Sequence, residues 1–486
     1  MSGLALAMAR LGIPVSGSDL VTSARTARVA ASGATVTIGH DAGGIARLPP
    51  GTLIVFNTDV PADNAELVAA RARGLHVAHR SEVLDWFLRG GHLTMDASPA
   101  VGSPAAGGAP SAYDPWPTAP CRTGRFVSVA ITGTHGKTTT TALTGLALLA
   151  GGCDPTIFVG ADVPYLAGGN QRLGAGRVVV AEVDESDGSF VRYRPDVVVL
   201  TNLEPEHLEH YGGDFANVRA TMLRFLENLA HDAIVVACAD DPVLRDLIPT
   251  QVAVLWYGLG PRAELVATDM RLGAQSTFTP VLRGRPLDSL ALGAPGRHNV
   301  SDALAAVAVA HHLGVPPVAF APAFADFHGA ERRFQVLTHA RGVIVVDDYA
   351  HNPTKVAAAL AGARLLQPRR LVAIFQPHRY QRTQQLWEGF AAAFRDADLV
   401  LLDDLYAPAG ETPLPGVGSA GLARAIAARS GVAVRHIVGR EALVAAALAD
   451  ARPGDLFLVM GAGDITLVAR ALADRLQATE VSAATP

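Results

Sequence analysis

The chain is expected to fold as α/β throughout, in three domains: a Rossmann-like N-terminal domain, a central P-loop ATPase-like domain and a C-terminal Rossmann-like domain. Three observations lead there. At 486 residues the chain is too long for a single hydrophobic core. Short apolar runs alternate with helical stretches in three blocks, the pattern of parallel sheets joined by crossover helices. A Pro/Ala/Gly/Ser-rich stretch at 96–124, without apolar periodicity, separates the first block from the second and reads as a linker. The domains are accordingly placed at 1–95, 125–328 and 329–486.

In the first block, strands are expected at 13–16, 35–38, 53–57 and 75–78, and helices at 64–73 and 81–89. Ser18 and Asp19 follow the first of these strands, where such sheets contact a ribose or base; Gly-Ser-Asp is equally an ordinary turn and helix cap.

The second block opens on Val127-Ser128-Val129-Ala130-Ile131-Thr132 followed by Gly133-Thr134-His135-Gly136-Lys137-Thr138-Thr139-Thr140. An apolar strand, a turn with two glycines, a Lys-Thr pair and an Ala/Leu-rich helix make a phosphate-binding loop. Backbone N–H groups close around phosphate oxygens, the helix offers its positive end, Lys137 reaches the outer phosphates and the Thr138 hydroxyl can hold Mg²⁺. Ile131 stands where the commoner, longer form of the motif has its first glycine. Lys137 and Lys355 are the only lysines among 40 basic residues, so a compact ammonium is used in the loop where arginine serves nearly everywhere else.

Strands are further expected at 178–183, 196–202, 233–239 and 252–257, with helices at 215–229 and 300–313 and short β-like segments over 264–292. Glu182, Asp184, Glu185 and Asp187 crowd the end of the strand at 178–183. Such a cluster is most stable beside cations, a nucleotide-bound Mg²⁺ above all. The strand at 196–202 runs into Glu204-Pro205-Glu206-His207, which puts His207 on the sheet edge that carries Glu182 and Lys137. Asn299, after Gly296-Arg297-His298, is a helix cap or a purine contact.

In the third block, strands are expected at 343–347, 371–375, 399–402, 432–437 and 456–460. Arg332-Arg333-Phe334 offers guanidinium groups for phosphate. Asp347-Asp348-Tyr349-Ala350-His351-Asn352-Pro353 and Gln376-Pro377-His378-Arg379-Tyr380-Gln381-Arg382-Thr383 each end a strand, and strand ends of open parallel sheets are where ligands bind.

A formal charge of −5 and a pI near 6.3 give no support for a nucleic-acid or anionic-membrane surface. Cys121, Cys153 and Cys238 are odd in number and lack metal-ligand spacing, which points to a reducing compartment. With no bilayer-length apolar run and no leader-like N-terminus, the expected location is cytoplasmic.

Taken together and in this order, G-T-H-G-K-T-T-T, E-V-D-E-S-D-G-S-F, T-N-L-E-P-E-H, R-R-F, D-D-Y-A-H-N-P-T and Q-P-H-R-Y-Q-R-T resemble the Mur ligases of peptidoglycan synthesis over nearly the whole chain. The resemblance implies ATP and Mg²⁺ as cofactors, UDP-N-acetylmuramate and L-alanine as substrates, and an acyl phosphate as the activated intermediate. It implies that Gly133, Thr134, His135, Gly136, Lys137, Thr138 and Thr139 hold ATP phosphates, and that Lys137, Glu182 and His207 are catalytic. Thr138 and Glu182 would bind Mg²⁺, with His207 serving a second metal. Asn299, Arg333 and Asp348 would meet adenine, phosphate and ribose. Ser18, Asp19, Tyr349, His351, His378, Arg379 and Arg382 would bind substrate. A ligase that attaches a whole tripeptide to the same nucleotide sugar, and a non-catalytic nucleotide-binding regulator, are the alternatives.

The chain departs from the family pattern in places. Asp302 stands where a second purine-contact asparagine is usual, Ala350-His351-Asn352-Pro353 replaces Gly-His-His-Pro, and the 96–124 linker is untypical. The helix after His207 has no lysine to carry a carbamate. Met1-Ser2-Gly3 begins inside a motif that relatives reach through a strand and a glycine-rich turn. The expectation is that this first strand is missing, leaving its two neighbours separated by a gap.

Overall fold

A computed structural model describes residues 1–94, 124–167, 169–407 and 411–483. The linker expected at 96–124 lies outside the described residues except for Gly124. Two compact units divide the chain, one of 1–268, 280–289 and 301–323, the other of 269–279, 290–300 and 324–486.

The first unit begins with the helix Ser2–Arg10, followed by β1 (Ser16–Asp19), β2 (Thr35–Ile38), β3 (Leu53–Phe56) and β4 (His76–His79). β1 pairs in parallel with β2, and β3 with β4, as two separate two-stranded sheets. The strand expected at 13–16 starts instead at Ser16. Residues before it finish the helix, since the Ile13 N–H bonds back to Met8 O and Gly12 takes a positive φ of 76°. Leu75 closes the helix Ala65–Ala72 through Ala70 O in the same way, so β4 begins one residue later than expected.

The central sheet is built on β5 (Val127–Thr132), β6 (Thr156–Val163), β7 (Gly169–Arg172), β8 (Val178–Glu182), β9 (Val197–Leu200), β10 (Ile234–Cys238) and β11 (Ala253–Gly258), in the order β11-β10-β9-β5-β8-β6-β7. All pairs are parallel except β6 with β7. β5 is buried along its whole length, which explains its unbroken apolar run: a central parallel strand is covered on both faces. The 264–292 stretch supplies β12 (Leu265–Arg271), β13 (Ser276–Leu282), β14 (Arg285–Pro286) and β15 (Leu290–Leu292), with antiparallel pairing of β13 to β14 and to β15. The next helix spans Arg297–His312, so Asn299 lies in its first turn and not at the cap.

The second unit carries β16 (Gln335–Ala340), β17 (Val343–Asp348), β18 (Arg370–Phe375), β19 (Leu399–Leu402), β20 (Ala433–His436) and β21 (Asp455–Met460), ordered β16-β17-β21-β18-β19-β20. Only the β16–β17 pair is antiparallel. Alternate residues of β18 enter opposite cores. Leu371, Ala373 and Phe375 meet the helices Pro353–Arg364, Trp387–Ala392 and Ser419–Ser430, while Val372 and Ile374 meet Arg440–Asp450 and Thr466–Ala483. This is a doubly wound layer whose parallel strands end on one edge.

Cys238 is free and buried. No helix among the described residues is long and apolar enough to cross a membrane.

Candidate active site

β5 lies between β8 and β9, all three parallel, so the loops that follow them share one edge. Both glycines of the phosphate loop are required by backbone and by space. Gly133 has φ 129°, and a Cβ there would overlap the Thr201 hydroxyl and come within 2.8 Å of Asn202 O. Gly136 has φ 82°, and a Cβ would overlap the Asp302 carboxylate. Immediately after it the helix Lys137–Ala150 begins, with Thr138 and Thr139 buried in its first turn.

The four acids expected around one metal divide their work. Glu182, the last residue of β8, accepts from Thr138 Oγ1 at 3.0 Å and from the Gly160 N–H at 2.6 Å. A Cβ at Gly160 would stand 2.5 Å from Glu182 Oε1, so this glycine of β6 makes room for the carboxylate. Glu185 Oε2 lies 2.7 Å from Lys137 Nζ. Asp184 pairs instead with Arg80 at 2.8 Å, and Asp187 accepts from Thr58 and lies 3.6 Å from His79 Nε2. Burial alone would lower the Lys137 pKa, but the charges of Glu185, Asp184 and Glu182 outweigh it and hold the ammonium above its ordinary value. Burial raises the Glu185 pKa, and Lys137 only partly opposes it. At Asp184 the burial penalty is overcome by Lys137 and Arg80, which keep it below the usual carboxylate range.

The segment after β9 clasps the loop, a function the sequence reading did not assign to it. Thr134 N–H donates to Asn202 O at 3.0 Å, His135 N–H to Asn202 Oδ1 at 2.8 Å, and Glu204 N–H to Thr134 Oγ1 at 2.8 Å. His135 Nε2 sits 3.0 Å from Glu204 Oε2. His207 caps the short helical turn Leu208–His210 with φ 57° and is half-buried. A non-glycine residue in that conformation is uncommon enough to mark a constrained position.

Ser18 Oγ donates to Glu66 Oε2 at 2.6 Å and lies 2.9 Å from His40 Nδ1, so the structure adds His40 and Glu66 to the expected Ser18. Asp19 Oδ1 accepts from the Val21 N–H at 3.2 Å and behaves as a turn former. Only the distance in sequence hid the two partners.

In the second unit the Asn299 amide donates to Pro295 O at 2.6 Å, which fixes the turn into its helix. Asp348 accepts from the Phe334 and Ala350 N–H groups, both at 2.7 Å, and so ties the Arg-Arg-Phe turn to the end of β17. Burial raises its pKa against the pull of Arg333 and those two amides. Arg332 and Phe334 both hold positive φ, 57° and 51°, and the guanidinium groups of Arg332 and Arg333 lie 4.9 and 5.3 Å from the Tyr349 ring centre. A ladder of rings follows. His351 meets Tyr349 edge-on at 5.0 Å and His378 at 6.4 Å, and His378 stacks on Tyr406 at 5.5 Å.

Burial, then Arg382, Arg379 and Arg332, lowers the His378 pKa to about 4. The imidazole is therefore neutral, with Nδ1 accepting from Arg382 Nη1 at 3.1 Å. That leaves Nε2 as the protonated nitrogen. Arg379 has φ 69°, and its N–H bonds Tyr406 O at 2.9 Å. The loop after β21 completes this edge and was not anticipated. Arg332 Nη2 donates to Gly461 O at 2.5 Å, and Gln376 Nε2 donates to Asp403 and Asp464 at 3.0 and 2.9 Å. Its Gly-Ala-Gly-Asp composition was the available signal.

The donors at Thr138 and Glu182 suit a hard cation. A hydroxyl and a carboxylate 3.0 Å apart leave most of an octahedron to phosphate and water, which is how Mg²⁺ is usually held beside a nucleotide. No group of three or more His, Cys, Asp or Glu side chains is poised for a metal among the described residues.

Three family models match the chain: "Mur ligase family, catalytic domain" over 1–92, "Mur ligase middle domain" over 131–310, and "Mur ligase, glutamate ligase domain" over 332–463. The chain is 42% identical to the UDP-N-acetylmuramate–L-alanine ligase of Symbiobacterium thermophilum, over 99% of this chain and 93% of that one. Its identity to the protein of the same name from Pelotomaculum thermopropionicum is 40%, over 98% and 95%. Among solved structures it is similar to the UDP-N-acetylmuramate–alanine ligase MurC of Thermotoga maritima, with TM-score 0.77 and 26% identity over 99% and 97% of the two chains. A murein peptide ligase from Psychrobacter arcticus shares the fold, with TM-score 0.64 and 21% identity over 98% and 96%.

Proposed function

Because the chain belongs to the Mur ligase family, we propose that it joins L-alanine to UDP-N-acetylmuramate, with ATP converted to ADP and phosphate, in cytoplasmic synthesis of peptidoglycan precursors. The observation that carries the chemistry is the Thr138–Glu182 pair at the mouth of a two-glycine phosphate loop. Thr138 and Glu182 would hold Mg²⁺, which supplies charge neutralisation for transfer of the γ-phosphoryl group to the sugar's carboxylate. Lys137 and the loop amides would bind the outer phosphates, and His207 would serve the acyl-phosphate side. Attack by the amine of alanine on the acyl phosphate would then form the amide and release phosphate.

On the second unit, Arg333 and Asp348 would meet the nucleotide, with Asn299 near the purine. Tyr349, His351, His378, Arg379 and Arg382 would receive the muramoyl and amino-acid groups. The neutral His378, held by Arg382, is suited to donate a hydrogen bond from Nε2 and not to carry charge. Ser18, with Asp19 on the same strand, would face the uridine. The corresponding domains are 1–95, 125–328 and 329–486.

The names of relatives at about 40% identity favour alanine over a tripeptide as the acceptor. Phosphate release with UDP-N-acetylmuramate, ATP and Mg²⁺ should be strongest with L-alanine among single amino acids and weak with the tripeptide. Release with the tripeptide alone would establish the recycling activity instead. No release with any acceptor, in a protein that still binds ATP, would favour the regulator.

A further inference from the structure

Lys137 is engaged by its own protein. Its ammonium donates to Gly133 O at 2.6 Å and Thr134 O at 3.3 Å, and forms an ion pair with Glu185 Oε2 at 2.7 Å. The place that a phosphate oxygen would take beside the ammonium is held by a carboxylate. The Glu185 side chain is only 5% exposed, and neither of its oxygens has a hydrogen-bond partner, so its contact with Lys137 is an ion pair. Nothing in the metal pair needs it, since Glu182 is already held by Thr138 and Gly160. Its backbone is pinned as well: Tyr211 donates its hydroxyl to Glu185 O, and the neighbouring Asp184 is tied to Arg80. The carboxylate is thus an anion built onto the ammonium on which the loop's phosphates are expected to converge.

We propose that Glu185 is a stand-in anion. It holds the Lys137 ammonium folded into the loop until a nucleotide phosphate takes its place, and nucleotide binding breaks the Lys137–Glu185 pair. Glu185 is therefore a positioning residue for ATP, acting through Lys137. The inference rests on the reading of the loop as an ATP site. It explains how the chain keeps an ammonium in a buried loop without a ligand, where an unpaired charge would be costly. It also implies that the affinity for ATP is lowered by the fraction of molecules in which the pair is closed.

The test uses the full chain, its Glu185→Gln and Glu185→Asp variants, and a non-hydrolysable ATP analogue with Mg²⁺. Removing the competing charge in Glu185→Gln should lower the dissociation constant about tenfold. Glu185→Asp, whose carboxylate is one methylene short of the ammonium, should fall between and covers the case in which the glutamine variant does not fold. With two lysines in the chain, selective ¹³Cε-lysine labelling yields a two-signal spectrum, and Lys355→Arg identifies Lys137 by elimination. The Lys137 signals of wild type and Glu185→Gln should differ without nucleotide and coincide when both are saturated. A purely structural Glu185 would change melting temperature and leave the dissociation constant alone. Unchanged or weaker binding by folded variants, or identical Lys137 signals before nucleotide is added, would overturn the proposal. A wild type that binds no nucleotide would overturn the ATP reading itself.

Discussion

Two edges of this molecule end parallel strands in the same way and carry opposite chemistry. At the edge of β5, β8 and β9, Glu185 pairs with the one ammonium of Lys137, and Glu182 accepts from the Thr138 hydroxyl. At the edge of β17, β18 and β21, the acids turn inward onto backbone amides and Gln376, while Arg332, Arg333, Arg379 and Arg382 surround stacked rings. A shared topology therefore dictates where a ligand binds and says nothing about its charge. In the function proposed above, the first edge would take a polyphosphate together with its metal. The second suits anionic and planar groups met directly by protein cations.

The contrast breaks most severely at Lys137. In Lys137→Arg the planar fork cannot repeat the two hydrogen bonds and the ion pair made by a compact ammonium, so ligation should fall on the order of a thousandfold in phosphate release. Near-normal turnover would show that the loop tolerates any cation. Next in size is Glu182→Ala, expected to lose roughly 10–100-fold in activity and to need more Mg²⁺. Gly160→Ala, with its methyl 2.5 Å from Glu182 Oε1, should raise the Mg²⁺ requirement in the same direction by a smaller factor. Titrating activity against Mg²⁺ checks both, and an unchanged requirement in both would move the metal elsewhere.

The smallest effect sharpens the second edge. His378 has a folded pKa of about 4, below the ordinary 6.5, so the unfolded chain takes up its proton first as the pH falls. Its contribution to stability is complete above about pH 6.5 and is lost as the pH falls from there toward 4. His378→Gln should flatten the fall in the free energy of unfolding between pH 7 and 5, read from denaturant titrations, by on the order of 1 kcal/mol after allowance for partial exposure. A profile as steep as wild type would mean that another group governs acid stability.

Much of both edges was legible from residue order alone. The strand-loop-helix at 127–150 and the strand ends carrying Glu182, Asp348 and His378 lie where their apolar runs stop. What escaped was what depends on neighbours distant in sequence. β6 carries Gly160 and Asp162 among its apolar residues, and β7 is Gly-Asn-Gln-Arg, so neither shows a clean apolar period, and with them went the role of Gly160. The acid cluster was read as one metal site because charge density is visible in a sequence and counterions are not. Arg80, His79 and Thr58 are about a hundred residues away. The pairing of Ser18 with His40 and Glu66, and the clasp of Asn202 on the phosphate loop, were hidden for the same reason.

The turn from Asp184 to Asp187 also sets limits on how this chain can drift. Arg80 and Thr58 touch no part of the phosphate loop, yet they hold the residues on either side of Glu185. A change at either site would move the carboxylate opposite Lys137 and be felt in the handling of ATP. Substitutions that look like neutral surface variation should therefore be rare at positions 58 and 80. Suppressors of a damaged Arg80, selected from a random library, should cluster within 184–187, a hundred residues downstream of the lesion they repair.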